Sequence, residues 1–193
     1  MKLLLTSNGL ENNEISLVFK NLFNKAITDV KVLFIPTASR TEFELTYVTK
    51  SIQELIKLGV SDNNIFSYSP DKQKLSNFDK FDCIYVCGGN TYYLLDVFKK
   101  TGFDKQVIKL VNEGLIYVGV SAGSIIAGPN IEITGTDDEN DCKITDLSSL
   151  NLTECIISPH FCKDEEEYVA DFRKNSIYPV IGLKDNEAIV IIK

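Results

Sequence analysis

The sequence predicts an α/β fold in which helices cover both faces of a mostly parallel sheet, a doubly wound three-layer sandwich. Three observations predict it. Short runs rich in Val, Ile and Leu alternate with longer stretches of helical period. Two of these runs, 83–87 and 115–120, are apolar almost throughout, as strands covered on both faces are. The length of 193 residues suits one domain, so we expect a single domain over residues 1–193.

The first half of the chain contains two strand–helix pairs and a third strand. Apolar residues in 11–27 recur at i, i+3 and i+4, which predicts an amphipathic helix. The same period continues to Leu58 in the next helix, and Gly59 follows it as a C-cap glycine would. We expect strands at 2–6, 31–35 and 65–68, helices at 11–27 and 43–58, and a polar connection at 72–80.

The second half continues the alternation and then becomes polar. The run 83–87 is fully apolar and is therefore expected at the centre of the sheet. The segment 130–152 is polar and acidic, which predicts a loop with one hairpin. The expected architecture is flavodoxin-like. Its remaining elements are helices at 92–99, 104–112 and 164–174, a short helix after 121, and strands at 115–120, 155–158, 180–183 and 188–192.

Composition and charge exclude several classes of protein. The formal net charge is −7 and the 20 Lys and Arg residues form no cluster larger than two in sequence, so we expect no nucleic-acid partner. The longest apolar runs fall far short of the ~20 residues that a membrane-spanning helix needs. The chain becomes polar at 7–9, before the apolar core of a signal peptide could form. We therefore expect a cytoplasmic protein without a membrane partner.

The cysteine and histidine content argues against a metal centre. There is one histidine, and none of the five cysteines forms a Cys-x-x-Cys pair, so a zinc site of the usual kind is hard to assemble. We expect no metal and no cofactor. The thiols are expected to be reduced and mostly buried, as in a reducing compartment.

A candidate nucleophile lies where a buried strand ends. Residues 119–123 fit the pattern G-x-S-x-G directly after the strand 115–120. In open parallel sheets, ligands bind beyond the carboxyl ends of the strands. The two glycines permit a tight strand-to-helix turn that exposes the hydroxyl of Ser121. The alternative is that Ser121 is an ordinary helix N-cap.

His160 is the candidate base. It is the only histidine and closes the strand 155–158, on the expected edge of the sheet. Imidazole suits proton transfer near neutral pH, and a serine hydroxyl needs such a base. The alternative is that His160 is an ordinary core or surface residue.

A third segment could stabilise negative charge. Gly88 and Gly89 follow the strand 83–87, and their backbone N–H groups could form an oxyanion hole together with that of Ala122. The alternative is a simple glycine turn capped by Asn90 or Thr91.

The acid of a triad remains open at this stage. A carboxylate must hold the imidazole tautomer and support its positive charge. In the α/β-hydrolase order the acid precedes the histidine, whereas another order places it after the histidine. Sequence spacing does not choose between the two groups. They are Asp137, Asp138, Asp141 and Asp146 before His160, and Asp185 and Glu187 after it.

These segments together resemble the alpha-aspartyl dipeptidase (peptidase E) family of serine peptidases, relatives of cyanophycinase in the class I glutamine-amidotransferase-like superfamily. The resemblance runs almost end to end and implies a glutamine-amidotransferase-like fold. It also implies Ser121 as nucleophile, His160 as base and the oxyanion hole given above. The amidotransferases have cysteine where this chain has serine, which argues against glutamine hydrolysis. The matching segments are 3–8, 34–38, 88–91, 121–123, 127–129, 158–161 and 182–183.

The resemblance also implies an acid and a substrate class. The family's acid lies two or three residues after the glycine that matches Gly182, which selects Asp185, or Glu187 if the turn is shifted. The implied activity is hydrolysis of a dipeptide or short peptide, with N-terminal aspartate as the family's choice, by a monomer or homodimer. Aspartate-selecting members carry basic groups after the histidine, where this chain has Lys163 and then four acidic residues. The candidate substrate-binding residues are Asn8, Asn90, Arg40 and Arg173, with the two arginines as substitute basic groups.

Two functions of other classes remain as alternatives. A non-catalytic small-molecule-binding or regulatory protein could retain the fold with an unreactive Ser121. An esterase of the α/β-hydrolase type would need its acid between Ser121 and His160.

Overall fold

The computed structural model describes residues 1–135 and 137–193. Its central element is a six-stranded sheet with the strand order β3-β2-β4-β5-β1-β8. Neighbouring strands are parallel except for β8, which pairs antiparallel with β1. A smaller parallel sheet contains β6 and β7. The strands are β1 (Lys2–Thr6), β2 (Val32–Ile35), β3 (Ile65–Ser67), β4 (Cys83–Val86), β5 (Ile116–Val120), β6 (Ile156–Ser158), β7 (Val180–Gly182) and β8 (Ala188–Ile192).

Helices cover both faces of the sheet, because alternate strand residues face two separate cores. Leu4 of β1 packs in one core with residues of the first two helices, Phe19 and Leu55. Leu3 and Leu5 pack in the other core with the remaining helices. The predicted three-layer α/β sandwich is confirmed, with β4 inside the sheet. The helices are α1 (Asn13–Asn21), α2 (Glu42–Lys57), α3 (Thr91–Thr101), α4 (Phe103–Asn112), α5 (Ala122–Ile125) and α6 (Glu166–Asn175).

The first helix is shorter than the predicted 11–27. The Asn12 side chain accepts hydrogen bonds from the N–H groups of Glu14 and Ile15, so Asn12 is the N-cap and the helix begins two residues later than expected. The helix ends at Leu22, and a 3₁₀ turn follows at Ile27–Asp29. Phe23 lies beyond the helix but still packs on the same core, with its ring centroid 5.2 Å from that of Phe19. Apolar residues therefore continue at helical spacing after the helix has ended, because this spacing follows which side chains are buried and not which backbone groups are hydrogen-bonded.

The hairpin predicted within 130–152 is wrong for the residues that the structure describes. That segment contains a 3₁₀ turn at Glu132–Thr134 and a single antiparallel bridge between Asn130 and Ser148. The physical reason is where its amides bond. The N–H groups of Leu150 and Leu152 donate to the carbonyls of Ile126 and Ala127 after α5, so the pairing within this segment is limited to the residues around the Asn130–Ser148 bridge.

The cysteines are less buried than predicted. Cys83 and Cys87 are buried in the central strand region, Cys142 and Cys155 are half-buried, and Cys162 is exposed. All five carry free thiols. Of the helices within residues 1–135 and 137–193, none is both long and apolar enough to span a bilayer.

Candidate active site

Ser121 lies at a sharp turn between β5 and α5. Its backbone has φ 49° and ψ −112°, which non-glycine residues rarely adopt. The flanking glycines are required by close packing. A Cβ on Gly119 would overlap the Gly123 backbone, and a Cβ on Gly123 would overlap the carbonyl oxygen of Val86. The alternative of an ordinary N-cap is wrong, because the Ser121 side chain makes no capping hydrogen bond.

Buried hydrogen bonds hold this turn in place. The Ser124 hydroxyl donates to the carbonyls of Thr6 (2.7 Å) and Gly119 (2.8 Å), which joins α5 to two adjacent strands. The Tyr117 hydroxyl donates to the Gly123 carbonyl at 2.6 Å. The strained conformation of Ser121 therefore rests on a fixed support, as strained functional backbones do.

The imidazole of His160 contacts both Ser121 and Asp185. Its Nε2 lies 2.9 Å from Ser121 Oγ, and its Nδ1 lies 2.6 Å from Asp185 Oδ1. His160 follows β6 with φ 57°, and Asp185 lies in the turn between β7 and β8. Since β6 pairs with β7 in the small sheet, that sheet brings histidine and carboxylate together beside the serine.

The turn 184–187 separates the two acids that follow His160. Asp185 faces the imidazole, whereas Glu187 Oε2 accepts a hydrogen bond from the Lys184 N–H at 2.9 Å within the turn. Asp185 therefore has the geometry of a triad acid and Glu187 does not.

The four aspartates that precede His160 make no hydrogen bond to its ring within the described part of the chain. Asp137 lies in a cavity beside the histidine, and the others have partners elsewhere. Asp138 Oδ2 accepts from the Thr91 N–H at 2.7 Å, Asp141 pairs with Arg40 at 2.6 Å, and Asp146 pairs with Lys99 at 2.6 Å. An α/β-hydrolase triad needs a carboxylate from before His160 bonded to its ring, and the described contacts of these four aspartates include no such bond.

Ser7 is a site residue that the sequence did not single out. Its hydroxyl accepts a hydrogen bond from the His160 backbone N–H at 2.7 Å and donates to Asp185 Oδ1 at 3.2 Å. One buried hydroxyl thus fixes both the histidine backbone and the carboxylate. The sequence shows only that Ser7 directly follows a predicted strand, and the structure adds that this strand, β1, lies beside β5, after which Ser121 comes.

The residues expected to form the oxyanion hole are the small residues Gly88, Gly89 and Ala122. A Cβ on Gly88 would lie 3.1 Å from Ser121 Cβ, and a Cβ on Gly89, which has φ 128°, would overlap the Ala38 carbonyl. Ala122 is the first residue of α5, so its N–H has no acceptor within the helix. Asn90 is buried, caps α3 by accepting from the Tyr93 N–H, and donates to the Glu139 carbonyl. The glycine turn is therefore capped by Asn90, as the alternative interpretation predicted.

Ser121 and His160 both line two cavities. We call the first the acidic cavity. It has a volume of about 330 Å³ and is lined by Asp137, Asp138 and Glu165 besides Ser121 and His160. The second cavity has a volume of about 360 Å³. It is lined by Asn8, Glu44, Tyr47, Lys50, Ser51, Glu54, Cys87, Gly88, Gly89, Val120 and Asp138, with the three residues Ser121, His160 and Asp185 at its mouth.

Burial and mutual repulsion raise the pKa of two carboxyls in the acidic cavity. Burial raises the pKa of Asp137, and the charge of Asp138 raises it further. Burial likewise raises the pKa of Glu165, with a contribution from the charge of Asp137. Among the residues that the structure describes, no three His, Cys, Asp or Glu side chains are grouped so that they could hold a metal ion.

The basic residues proposed for substrate binding lie elsewhere. Arg40 pairs with Asp141 and stacks on the Tyr93 ring, 4.5 Å from its centroid, outside both cavities. Arg173 is on α6, where its Nε donates to the Val180 carbonyl at 3.2 Å. Lys50 lines the second cavity but is already paired with Glu11 at 2.8 Å. Of the four candidate substrate-binding residues, Asn8 lines a cavity at Ser121.

Comparison with known proteins gives a family for this chain. The chain is 35% identical over 181 residues to an uncharacterized peptidase of Listeria innocua, which covers 89% of this chain and 82% of that protein. It is 34% identical to peptidase E of Escherichia coli strain 536, over 67% of this chain and 54% of the E. coli protein. The chain therefore spans about half of that enzyme.

Solved structures agree with the fold. A crystal structure from Listeria monocytogenes EGD-e, provisionally assigned as a peptidase E protein, superposes with a TM-score of 0.82 at 30% identity, over 98% of this chain and 93% of that one. A peptidase from an acI-B1 actinobacterium shares the fold at 17% identity, with a TM-score of 0.65 and coverage of 98% and 82%. Residues 3–193 match peptidase family S51. The chain belongs to that family and is a peptidase.

Proposed function

We propose that this peptidase is a serine exopeptidase that hydrolyses a dipeptide or short peptide through an acyl-enzyme on Ser121. The observation that carries the proposal is the continuous series of contacts from Ser121 Oγ through the His160 ring to Asp185 Oδ1, at 2.9 and 2.6 Å. Hydroxyl, imidazole and carboxylate in this order form the arrangement that activates a serine for acyl transfer.

The first half of the reaction forms the acyl-enzyme. With its proton on Nδ1, directed at Asp185, His160 accepts the Ser121 hydroxyl proton at Nε2 while Oγ bonds to the substrate carbonyl carbon. The carbonyl oxygen becomes an oxyanion, which the N–H groups of Ala122 and of Gly88 or Gly89 stabilise. His160 then gives its proton to the leaving amine as the C–N bond breaks.

The second half releases the acid product. A water molecule loses a proton to His160 Nε2 and attacks the acyl carbonyl, and the ester bond to Ser121 Oγ breaks as the proton returns to that oxygen. Asp185 stays ionised, holds the tautomer and supports the imidazolium. Every proton in this scheme moves between the substrate, water and two side chains of the chain.

The size of the cavities supports a short peptide as substrate. Both are near the lower end of the roughly 300–1,000 Å³ found for small-molecule sites. A peptide whose scissile carbonyl meets Ser121 would extend into both cavities. The preference for N-terminal aspartate that the family resemblance implies is tested by comparing dipeptides that differ in their first residue.

Covalent labelling tests the nucleophile directly. A fluorophosphonate should add once to the native protein, with the adduct on Ser121, as read by intact mass and peptide mapping. Ser16→Ala is a matched control, because the Ser16 hydroxyl binds the Leu10 carbonyl away from the site, and it should label like the parent. Native protein that stays unlabelled would contradict the serine mechanism and favour a non-catalytic binding protein.

Ser7→Ala should lower kcat by about tenfold and leave KM within a factor of about two. The reason is that Ser7 touches His160 and Asp185 but lines neither cavity, so its loss disturbs the alignment of the triad and not the binding of substrate. About 1–1.5 kcal/mol for a lost hydrogen bond corresponds to this factor. Steady-state kinetics with a dipeptide measures it. A rise in KM at constant kcat would contradict a positioning role for Ser7.

A further inference from the structure

The wall of the acidic cavity carries more acidic than basic side chains, and His160 is the one basic side chain among its described lining residues. Three carboxylates, those of Asp137, Asp138 and Glu165, line it, and its lining within the described residues includes no Lys or Arg. The whole chain also carries a net charge of −7, which attracts cationic ligands from a distance. An aspartate side chain placed here would meet three like charges and no Lys or Arg among the described lining residues.

Two oxygen atoms of this cavity's wall lack hydrogen-bond partners among the described residues. Thr134 is 3% exposed, and its Oγ1 is buried without a partner. Glu165 Oε2 is also buried without one. Buried polar atoms are almost always satisfied, so each unpaired one needs an explanation. The Glu165 oxygen accepts hydrogen bonds, and the Thr134 hydroxyl accepts or donates one, so a ligand that brings several N–H donors can supply a partner to both.

Hydrogen bonds from two helices hold the backbone of this part of the cavity wall in place. The Tyr92 hydroxyl donates to the Gly135 carbonyl at 2.8 Å, and the Tyr168 hydroxyl donates to the Ile133 carbonyl at 3.1 Å. A Cβ on Gly135, which has φ 53°, would lie 2.5 Å from the Tyr168 hydroxyl oxygen, so the backbone and this ring are in close contact. The two tyrosines from α3 and α6 therefore hold the backbone of Ile133 and Gly135, and Ile133 lines the acidic cavity.

We propose that the acidic cavity binds a residue with a cationic side chain, lysine or arginine, at one of the two positions that flank the scissile bond. The proposal rests on the serine peptidase function proposed above. An ammonium carries three N–H donors and a guanidinium five, enough to engage the Thr134 and Glu165 oxygens and still meet Asp137. Peptides with aspartate at that position are poor substrates, because repulsion from the three carboxylates opposes their binding.

A dipeptide panel with isosteric pairs tests the proposal. Lys-Ala and Ala-Lys are compared with norleucine-Ala and Ala-norleucine, which have side chains of similar length without the charge, and with Asp-Ala. At one position, kcat/KM for lysine should exceed that for norleucine by roughly 10–100-fold, as for a hydrogen bond to a charged group. Equal rates for lysine and norleucine at both positions, or a preference for Asp-Ala, would overturn the proposal.

Charge-removing variants locate the effect. In Glu165→Gln the lysine-to-norleucine ratio should fall at least fivefold, and Asp137→Asn serves the same purpose if Glu165→Gln does not fold. Glu167→Gln is the matched control, because Glu167 lies two residues after Glu165 in the first turn of α6, is exposed and does not line the cavity. It removes one negative charge and should keep the ratio. An equal fall in Glu167→Gln would assign the preference to net charge and overturn the cavity proposal.

A binding measurement separates failure of this proposal from failure of the serine mechanism. Titration calorimetry of Ser121→Ala with Lys-Ala and Ala-Lys, each against its norleucine counterpart, reports the cavity's preference at both positions without any reaction. A protein that hydrolyses no peptide and takes no fluorophosphonate, but binds Lys-Ala or Ala-Lys at least tenfold more tightly, would contradict the serine mechanism and keep this proposal. Equal affinities at both positions would overturn it whatever the outcome of labelling.

Discussion

Ser121→Ala should reduce kcat for dipeptide hydrolysis on the order of 10⁶-fold, because the variant has no atom that can form the acyl-enzyme. The fold should survive. The Ser121 side chain makes its hydrogen bond to His160, which is exposed and can bond to water instead. Alanine tolerates the backbone angles of this turn no worse than serine. Steady-state kinetics and a thermal melt of the same preparation measure both expectations.

Ser124→Ala is the control for this experiment. Ser124 lies one helical turn from Ser121, and its hydroxyl supports the turn by two buried hydrogen bonds. Its loss should cost about 1–3 kcal/mol of the free energy of unfolding, since two buried carbonyls lose a donor. Ser124→Ala should therefore melt earlier and keep most of its activity, the reverse of Ser121→Ala. Activity of Ser121→Ala within tenfold of the parent would refute the nucleophile.

The sheet could be predicted from sequence because its signal is local. Each buried strand is a short apolar run, and covered strands such as β4 leave no polar face that could obscure the pattern. The second and third helices also carry local end signals: Thr41 and Glu44 form a reciprocal capping box, and Gly102 ends its helix in the left-handed region. The error at α1 has the same origin, since Phe23 keeps the period of a helix that has already ended.

The candidate site could be predicted only in part. The turn at Ser121 has a local glycine signature, and His160 had no competitor as the only histidine. Which carboxylate contacts His160 depends on how the turn 184–187 folds. The sequence shows only that Asp185 and Glu187 lie two residues apart and does not indicate which of them faces the ring. Ser7 binds His160 across 153 positions of the chain, and no local pattern encodes a contact of that range. The charge of the acidic cavity likewise depends on Glu165, just before α6, lying close in space to Asp137 and Asp138.

Asp185→Asn should lower kcat on the order of 10³–10⁴-fold with little change in KM. An asparagine of the same shape carries no charge to support the imidazolium. If its amide nitrogen faces Nδ1, it also donates to that nitrogen and places the ring proton on Nε2, where it opposes uptake of the serine proton. Glu187→Gln is the matched control. The glutamine oxygen can still accept from the Lys184 N–H, so activity should stay within about twofold of the parent.

The pair of variants distinguishes three arrangements of the triad. A large loss in Asp185→Asn alone supports the acid that contacts His160 in this structure. A large loss in Glu187→Gln alone would mean that the turn 184–187 shifts by two residues when substrate binds. Full activity in both would return the acid to the segment before His160, where Asp137 and Asp138 lie closest to Ser121 in the acidic cavity. In that case Asp137→Asn would show the large loss of kcat. The preference of this cavity for a cationic side chain would then have to be measured again with the binding assay.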